Sequence, residues 1–276
     1  MQELGGKTAY VTGGASGIGL AMGKAFAAEG MRVMLADVEA GALDAAIEGL
    51  SQYQGRVRGV VCDVADPDSV ERAAQETFKA FGRVHVLCNN AGVAAGGGID
   101  TISLDNWRWV IDVNLMGVVH GLRSFLPHMR AHGEGGHIVN TASMAGMVGG
   151  LGLSPYHATK FAVVGMSEGL AVQLAPLGIG VTILCPEFVR TRIGESARNR
   201  QERYGQSPPL DPASPAGQIV AEIARRIEAG IDPAAVAQRV VAAIRQNELY
   251  LFTHPDMRRA VDPRFAAIQA AMDRVV

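Results

Sequence analysis

Short apolar runs alternate along the chain with longer stretches in which apolar residues recur every three or four positions. The runs are "TAYVTG" (8–13), "RVMLAD" (32–37), "RGVVCDV" (58–64), "VHVLCNNA" (84–91), "GHIVNTAS" (136–143), "GVTILCP" (180–186) and "LYLFT" (249–253). Their length and β-branched content predict strands. Helical spacing occupies 17–29, 67–81, 104–131, 155–175 and about 217–229. Strands separated by helices predict βαβ units, hence an α/β fold with a parallel sheet and helices on both faces. The strand runs are apolar throughout rather than alternating, as expected when both faces of a sheet are covered.

At 276 residues the chain is long enough for one substantial core, and a single domain over 1–276 is expected. Residues 190–215, "RTRIGESARNRQERYGQSPPLDPASP", are rich in Arg, Pro and Ser and follow a strand. They predict a mobile insertion, with 190–230 serving as a substrate lid and 255–276 as a C-terminal tail. Hydrophobic residues at 48% and charged residues at 19% mark a globular chain rather than a disordered or fibrous one. A net charge of −2 supplies no basic field for nucleic acid or membrane. The start, "MQELGGKTAYVTGG", lacks a charged lead, apolar core and cleavage site, and no apolar run reaches spanning length, so the cytoplasm is the expected location. Three cysteines, Cys62, Cys88 and Cys185, end apolar runs in a spacing that fits neither disulfides nor a metal, and are expected to be buried and inert.

"TGGASGIG" (12–19) follows the first strand run and opens a helix, with Gly13, Gly17 and Gly19 in the pattern G-x-x-x-G-x-G. Glycines there permit a tight turn and let backbone approach a pyrophosphate at the helix N-terminus. Asp37 ends the second strand run 18 residues beyond Gly19, near the spacing of a ribose-binding carboxylate. A carboxylate there favours a free 2′-hydroxyl over a 2′-phosphate, so NAD is expected, with NADP the alternative. Asp37 could equally cap the next helix, and both roles are compatible. Strands three and four end in "CDV" (62–64) and "NNAG" (89–92), which places Asp63 to meet an adenine amino group and Asn90–Gly92 to floor a cofactor cleft.

"SPYHATK" (154–160) sets Tyr156 and Lys160 one helical turn apart, with Ser154 expected to cap the helix and Pro155 to open it. Only four of the 25 basic residues are lysines, so a lysine here reads as a requirement. A nearby cation lowers a phenol's pKa from about 10 and makes Tyr156 a usable acid–base group. His157 and His120 read as ordinary structural histidines.

"TGGASGIG", "NNAG" and "YHATK", in this order, resemble the short-chain dehydrogenase/reductase family over about residues 5–190. The resemblance implies a single Rossmann-type, doubly wound domain, a nicotinamide cofactor and hydride transfer between an alcohol and a ketone. Residue by residue it implies Tyr156 and Lys160 as the catalytic pair, Ser143 as the group holding the carbonyl oxygen, and Asn114 as support for a proton relay. It implies dinucleotide contacts from Gly13, Ser16, Gly17, Ile18, Gly19, Asp37, Asp63, Val64, Asn90, Ala91 and Gly92, and from Tyr156 and Lys160. Pro186, Val189 and Thr191 would close over the nicotinamide, and the subunits would pair as dimers or tetramers. Where the family usually has glycine after the proline, this chain has Glu187, which either turns to solvent or charges the substrate mouth. The apolar "MAGMVGGLGLSP" (144–155), with Ala94, Ala95 and Phe188, predicts a hydrophobic pocket for a bulky, apolar secondary alcohol or ketone. Arginines of the insertion could instead meet an acidic substrate. The competing readings are an NADP-preferring carbonyl reductase and a non-catalytic nucleotide-binding protein.

Overall fold

The strands are β1 (Thr8–Thr12), β2 (Arg32–Asp37), β3 (Val57–Val61), β4 (Val86–Asn89), β5 (Gly136–Thr141), β6 (Ile179–Cys185) and β7 (Tyr250–Phe252). The computed structural model describes residues 1–53, 55–97, 99–150, 152–206 and 211–275. In it these strands form one parallel sheet of order β3-β2-β1-β4-β5-β6-β7. The order reverses between β1 and β4, with Val11 facing both Leu35 and Cys88 across the pairing. The inner strands β1, β4 and β5 are buried at every position. The edge strand β3 departs from the expected unbroken burial, because its solvent flank leaves Arg58 and Val61 exposed.

Helices α1 (Gly17–Ala28), α2 (Ala40–Glu48), α3 (Pro67–Phe81), α4 (Leu104–Ile111), α5 (Gly117–Ala131), α6 (Ser154–Leu174), α7 (Pro215–Glu228), α8 (Pro233–Gln246) and α9 (Arg258–Met272) follow in chain order. The sheet has an apolar core on each face. One joins Tyr10, Leu87 and Ile138 to Val70 of α3, Phe125 of α5 and Val163 of α6. The other joins Val11, Val33 and Val86 to Phe26 of α1, Leu43 of α2 and Val240 of α8. Helix α3 shows how the sequence writes such a face. Asp66 accepts from the Asp68 amide, Pro67 sits in the first turn, and Val70, Ala73, Ala74, Thr77 and Phe81 form the buried stripe. Burying Val70 alone contributes about 1.5–3 kcal/mol.

Three expectations need correction. The 104–131 stretch is not one helix, since a wide π turn, Asp112–Met116, separates α4 from α5. Ser154 does not cap α6; it is already the first helical residue, and Leu153 holds the cap position without a side-chain bond. The insertion, of which 207–210 lie outside the described residues, is not a loose loop. It makes short 3₁₀ turns at Ile193–Asn199 and Glu202–Tyr204 before α7, with Arg198 and Arg203 tied to Glu39 and Asp63 on the body of the protein and Arg198 and Arg200 bonded to carbonyls of the insertion itself. The 255–276 tail carries α9, Pro263 included; residue 276 lies outside the described residues. No described helix is long and apolar enough to cross a membrane.

Candidate active site

A cleft of about 1060 Å³ opens along the carboxyl ends of the strands, at the point where the sheet order reverses. Its nucleotide end is built on the β1–α1 turn. Gly17 has φ +52°, and a Cβ there would stand 3.0 Å from the Thr191 methyl. At Gly19 a Cβ would fall 2.0 Å from the Gly13 carbonyl oxygen, so only glycine lets α1 pack under the turn. The N-terminus of α1 has no side-chain cap from Ser16 and no acidic residue in its first turn. Its free N–H groups and positive dipole end fit a pyrophosphate.

Asp37 is 8% exposed and accepts from the Ala15 amide at 3.0 Å and the Glu39 amide at 3.1 Å. It thus ties the glycine turn to the start of α2, while its carboxylate still lines the cleft. Asp63 accepts from the Ala65 amide at 3.0 Å, from Gln201 Nε2 at 2.9 Å and from Arg203 Nη2 at 2.9 Å. The insertion therefore engages the carboxylate expected to meet adenine. Asn90 is fixed by Thr12, whose Oγ1 accepts from the Asn90 amide at 2.9 Å and whose carbonyl accepts from Asn90 Nδ2 at 3.0 Å.

At the other end lie Ser143, Tyr156 and Lys160, with Asn114 behind them. Lys160 is 2% exposed and donates to the Thr141 carbonyl at 2.8 Å. Burial pulls its pKa down to about 8, and the Cys185 thiol pulls weakly the other way. Its ammonium stands 5.4 Å from the centre of the Tyr156 ring. Burial raises the Tyr156 phenol above its ordinary value, against a lowering hydrogen bond from Ser143. Burial thus outweighs the Ser143 hydrogen bond at this phenol. Ser143 Oγ also accepts from the Ala145 amide at 3.1 Å and approaches the Pro186 carbonyl at 3.4 Å.

Asn114 is 1% exposed in the π turn and clasps Val93, accepting from its amide at 2.8 Å and donating to its carbonyl at 2.9 Å. A Cβ on Gly92 would lie 3.4 Å from Asn114 Oδ1 and 3.6 Å from Lys160 Nζ, so the two side chains converge on one spot. Among the residues expected at the site, Gly13, Ser16, Gly17, Ile18, Val64, Ala91, Pro186, Val189 and Thr191 also line the cleft, and Gly19 and Asn114 stand a layer behind. Glu187 is exposed at the rim, and its amide donates to Thr253 Oγ1 at 3.1 Å. Among the described residues only Asn247 is a non-glycine with positive φ, so Glu187 needs no glycine geometry.

Sequence reasoning missed several contributors. Thr12 and Thr141 anchor Asn90 and Lys160, though a threonine directly before "GG" and one after "IVN" were visible signals. It also missed the wall supplied by α7, where Val220, Ile223 and Ile227 face the cleft at helical spacing. The insertion's arginines are already committed. Arg190 pairs with Asp232, Arg192 with Glu195, Arg198 with Glu39 and Arg203 with Asp63, while Arg200 donates to Asn106 and to the Tyr204 and Gly205 carbonyls. All three cysteines are buried, and burial pushes the Cys185 thiol up to about 12. His120 bonds the Val64 carbonyl at 2.9 Å and so pins α5 to the segment that follows β3.

The chain is similar to known proteins over nearly its whole length. It is 33% identical to a C alpha-dehydrogenase of a Sphingobium species over 97% of this chain and 87% of that protein. It is 37% identical to 3beta-hydroxysteroid dehydrogenase 2 of Eggerthella lenta over 72% of this chain and 77% of that one. A Burkholderia phymatum short chain dehydrogenase/reductase, solved in complex with NAD, superposes with a TM-score of 0.93 at 38% identity, over 98% and 97% of the two chains. The family model for short chain dehydrogenase matches residues 7–202. The cleft, the topology and these relatives together make the chain a member of the short-chain dehydrogenase/reductase family of oxidoreductases.

Proposed function

We propose that the protein transfers a hydride between NAD and a bulky, largely apolar secondary alcohol or its ketone. The observation that carries this reading is the convergence of Ser143, Tyr156, Lys160 and Asn114 at one end of a cleft whose other end is the glycine turn and Asp37. The uncapped α1 terminus and the glycine turn suit the dinucleotide, which when bound supplies the hydride donor or acceptor and, oxidised, a positive ring.

The chain's own groups handle the proton and the oxygen. Ser143 donates to the substrate oxygen as negative charge develops there. Tyr156 takes the alcohol proton in oxidation and returns it in reduction. Lys160, held by the Thr141 carbonyl, keeps a cation near the phenol, and Asn114 holds the adjoining backbone in register. Ala94, Val148, Phe188, Val220 and Ile223 supply the apolar wall that favours a bulky substrate. Leu151, part of the expected wall, lies outside the described residues.

NAD is favoured over NADP because both carboxylates near the ribose end, Asp37 and Glu39, oppose a phosphate, and the nearby Arg198 is paired with Glu39 at 3.0 Å. A non-catalytic relative would be expected to lack Ser143, Tyr156 or Lys160, and all three are present. Exposed Leu104 on α4 and Val172 on α6 support pairing of subunits through these helices. The fold would act as one catalytic domain in the cytoplasm, with 190–230 as its lid. The test is a panel of aryl and alicyclic ketones assayed with NADH and NADPH side by side. Turnover with NADH at least tenfold above NADPH supports the reading; no turnover with either cofactor overturns it.

A further inference from the structure

His157 follows Tyr156 on α6, and the mechanism above gives it no task. Its ring lines the substrate end of the cleft, and it is the one histidine among the described lining residues. Nδ1 lies 2.9 Å from the Ala145 carbonyl oxygen. A carbonyl only accepts, so Nδ1 carries the proton in this contact. In the neutral ring this tautomer leaves Nε2 as the acceptor. Nε2 faces Gly150, where a Cβ would come within 3.1 Å of it. No described protein group is bonded to Nε2, which sits at a rim where Gly149 and Gly150 are exposed and Val148 and Leu153 are half-buried.

Water can satisfy this acceptor in the free protein, so a bulky ligand that covers it loses free energy unless it supplies a donor in the water's place. From this we infer that His157 is a specificity-determining residue: its Nε2 accepts a hydrogen bond from a hydroxyl of the substrate, distinct from the oxygen that is oxidised or reduced. The two neighbouring helical residues divide the work, Tyr156 at the reacting oxygen and His157 at the far hydroxyl, about 100° around the helix. Gly150 keeps the approach to Nε2 open, since any side chain there would crowd the ring. A site built to bond a substrate hydroxyl discriminates strongly against analogues that lack it.

This inference deepens the ketone–alcohol reading and rests on it. The test uses acetophenone, its three ring-hydroxylated isomers and the matching methoxy ethers, which accept but cannot donate. Initial rates with NADH and quenching of intrinsic tryptophan fluorescence without cofactor are both read, for wild type, His157→Leu and His157→Gln. In wild type, at least one hydroxy isomer exceeds its methoxy ether by tenfold or more in kcat/KM, chiefly through a lower KM, and its Kd is lower by a similar factor. In His157→Leu that ratio falls to within twofold of unity while acetophenone turnover stays within threefold. His157→Gln, whose amide oxygen can accept, keeps part of the preference. A wild-type ratio near one for every isomer, or an unchanged ratio in His157→Leu, overturns the inference. If the binding preference holds but no ketone is turned over, the hydroxyl contact stands and the hydride-transfer reading fails.

Discussion

Lys160 is a cation that the fold has taken out of water, and the site follows from how it is held. Among the described residues its ammonium bonds the Thr141 carbonyl alone, at 2.8 Å, and its pKa falls to about 8. An arginine there would need several acceptors in one plane, whereas a compact ammonium is satisfied at a point. At the nucleotide end the proposed single-residue control is Asp37. Replacing it by Asn keeps an acceptor for one backbone amide and removes the charge that opposes a 2′-phosphate. The kcat/KM ratio of NADPH over NADH is expected to rise about tenfold, or about 1.4 kcal/mol. A ratio that does not move would remove Asp37 from cofactor selection.

Among the elements, the π turn at Asp112–Met116 does most to shape the reactive end. It turns Asn114 inward so that its amide clasps both backbone groups of Val93, below Gly92. Asn114→Ala leaves a buried N–H and a buried C=O without partners, at about 1–3 kcal/mol each. Urea unfolding is expected to show a loss of about 2–6 kcal/mol, with kcat reduced. Unchanged stability would mean the clasp is not structural. This element also marks how far the sequence was legible. The inner strands announced themselves as apolar runs, and the glycine turn as a strand-to-helix junction with a carboxylate after the next strand. The π turn did not, because "DVNLM" has ordinary helical composition and its register is set by Val93, far off in sequence. The same holds for the insertion: Arg198 and Arg203 looked like a solvated face until folding set Glu39 and Asp63 opposite them. Helix α9 was missed because its residues are nearly all exposed and its apolar spacing is weak.

The whole molecule has a stability set partly by groups remote from the cleft. His137 is fully buried in β5, its Nε2 2.8 Å from Thr182 Oγ1, whose own proton goes to the Glu248 carbonyl at 2.7 Å. Nε2 therefore carries the proton in this bond, and burial, which lowers the pKa to about 3, keeps the ring neutral. Between pH 6.5 and about 3 the unfolded chain binds a proton that the folded chain refuses, so this stability is present above 6.5 and is lost as pH falls. The slope is about 1.4 kcal/mol per pH unit, or about 2 kcal/mol from pH 6.5 to 5. Comparing denaturant unfolding of wild type and His137→Gln should show the steeper acid loss in wild type; parallel curves would contradict it. The central claim joins both ends of the molecule: a dinucleotide held at the glycine turn reacts at a carbonyl whose proton passes through Tyr156. Its most direct test is NADH consumption, with matched alcohol formation, by wild type and Tyr156→Phe on a ketone the wild type reduces, alongside NADH affinity from fluorescence titration. The account predicts a loss of about 10²–10⁴ in kcat with NADH affinity within twofold of wild type. Wild-type turnover in Tyr156→Phe would contradict it.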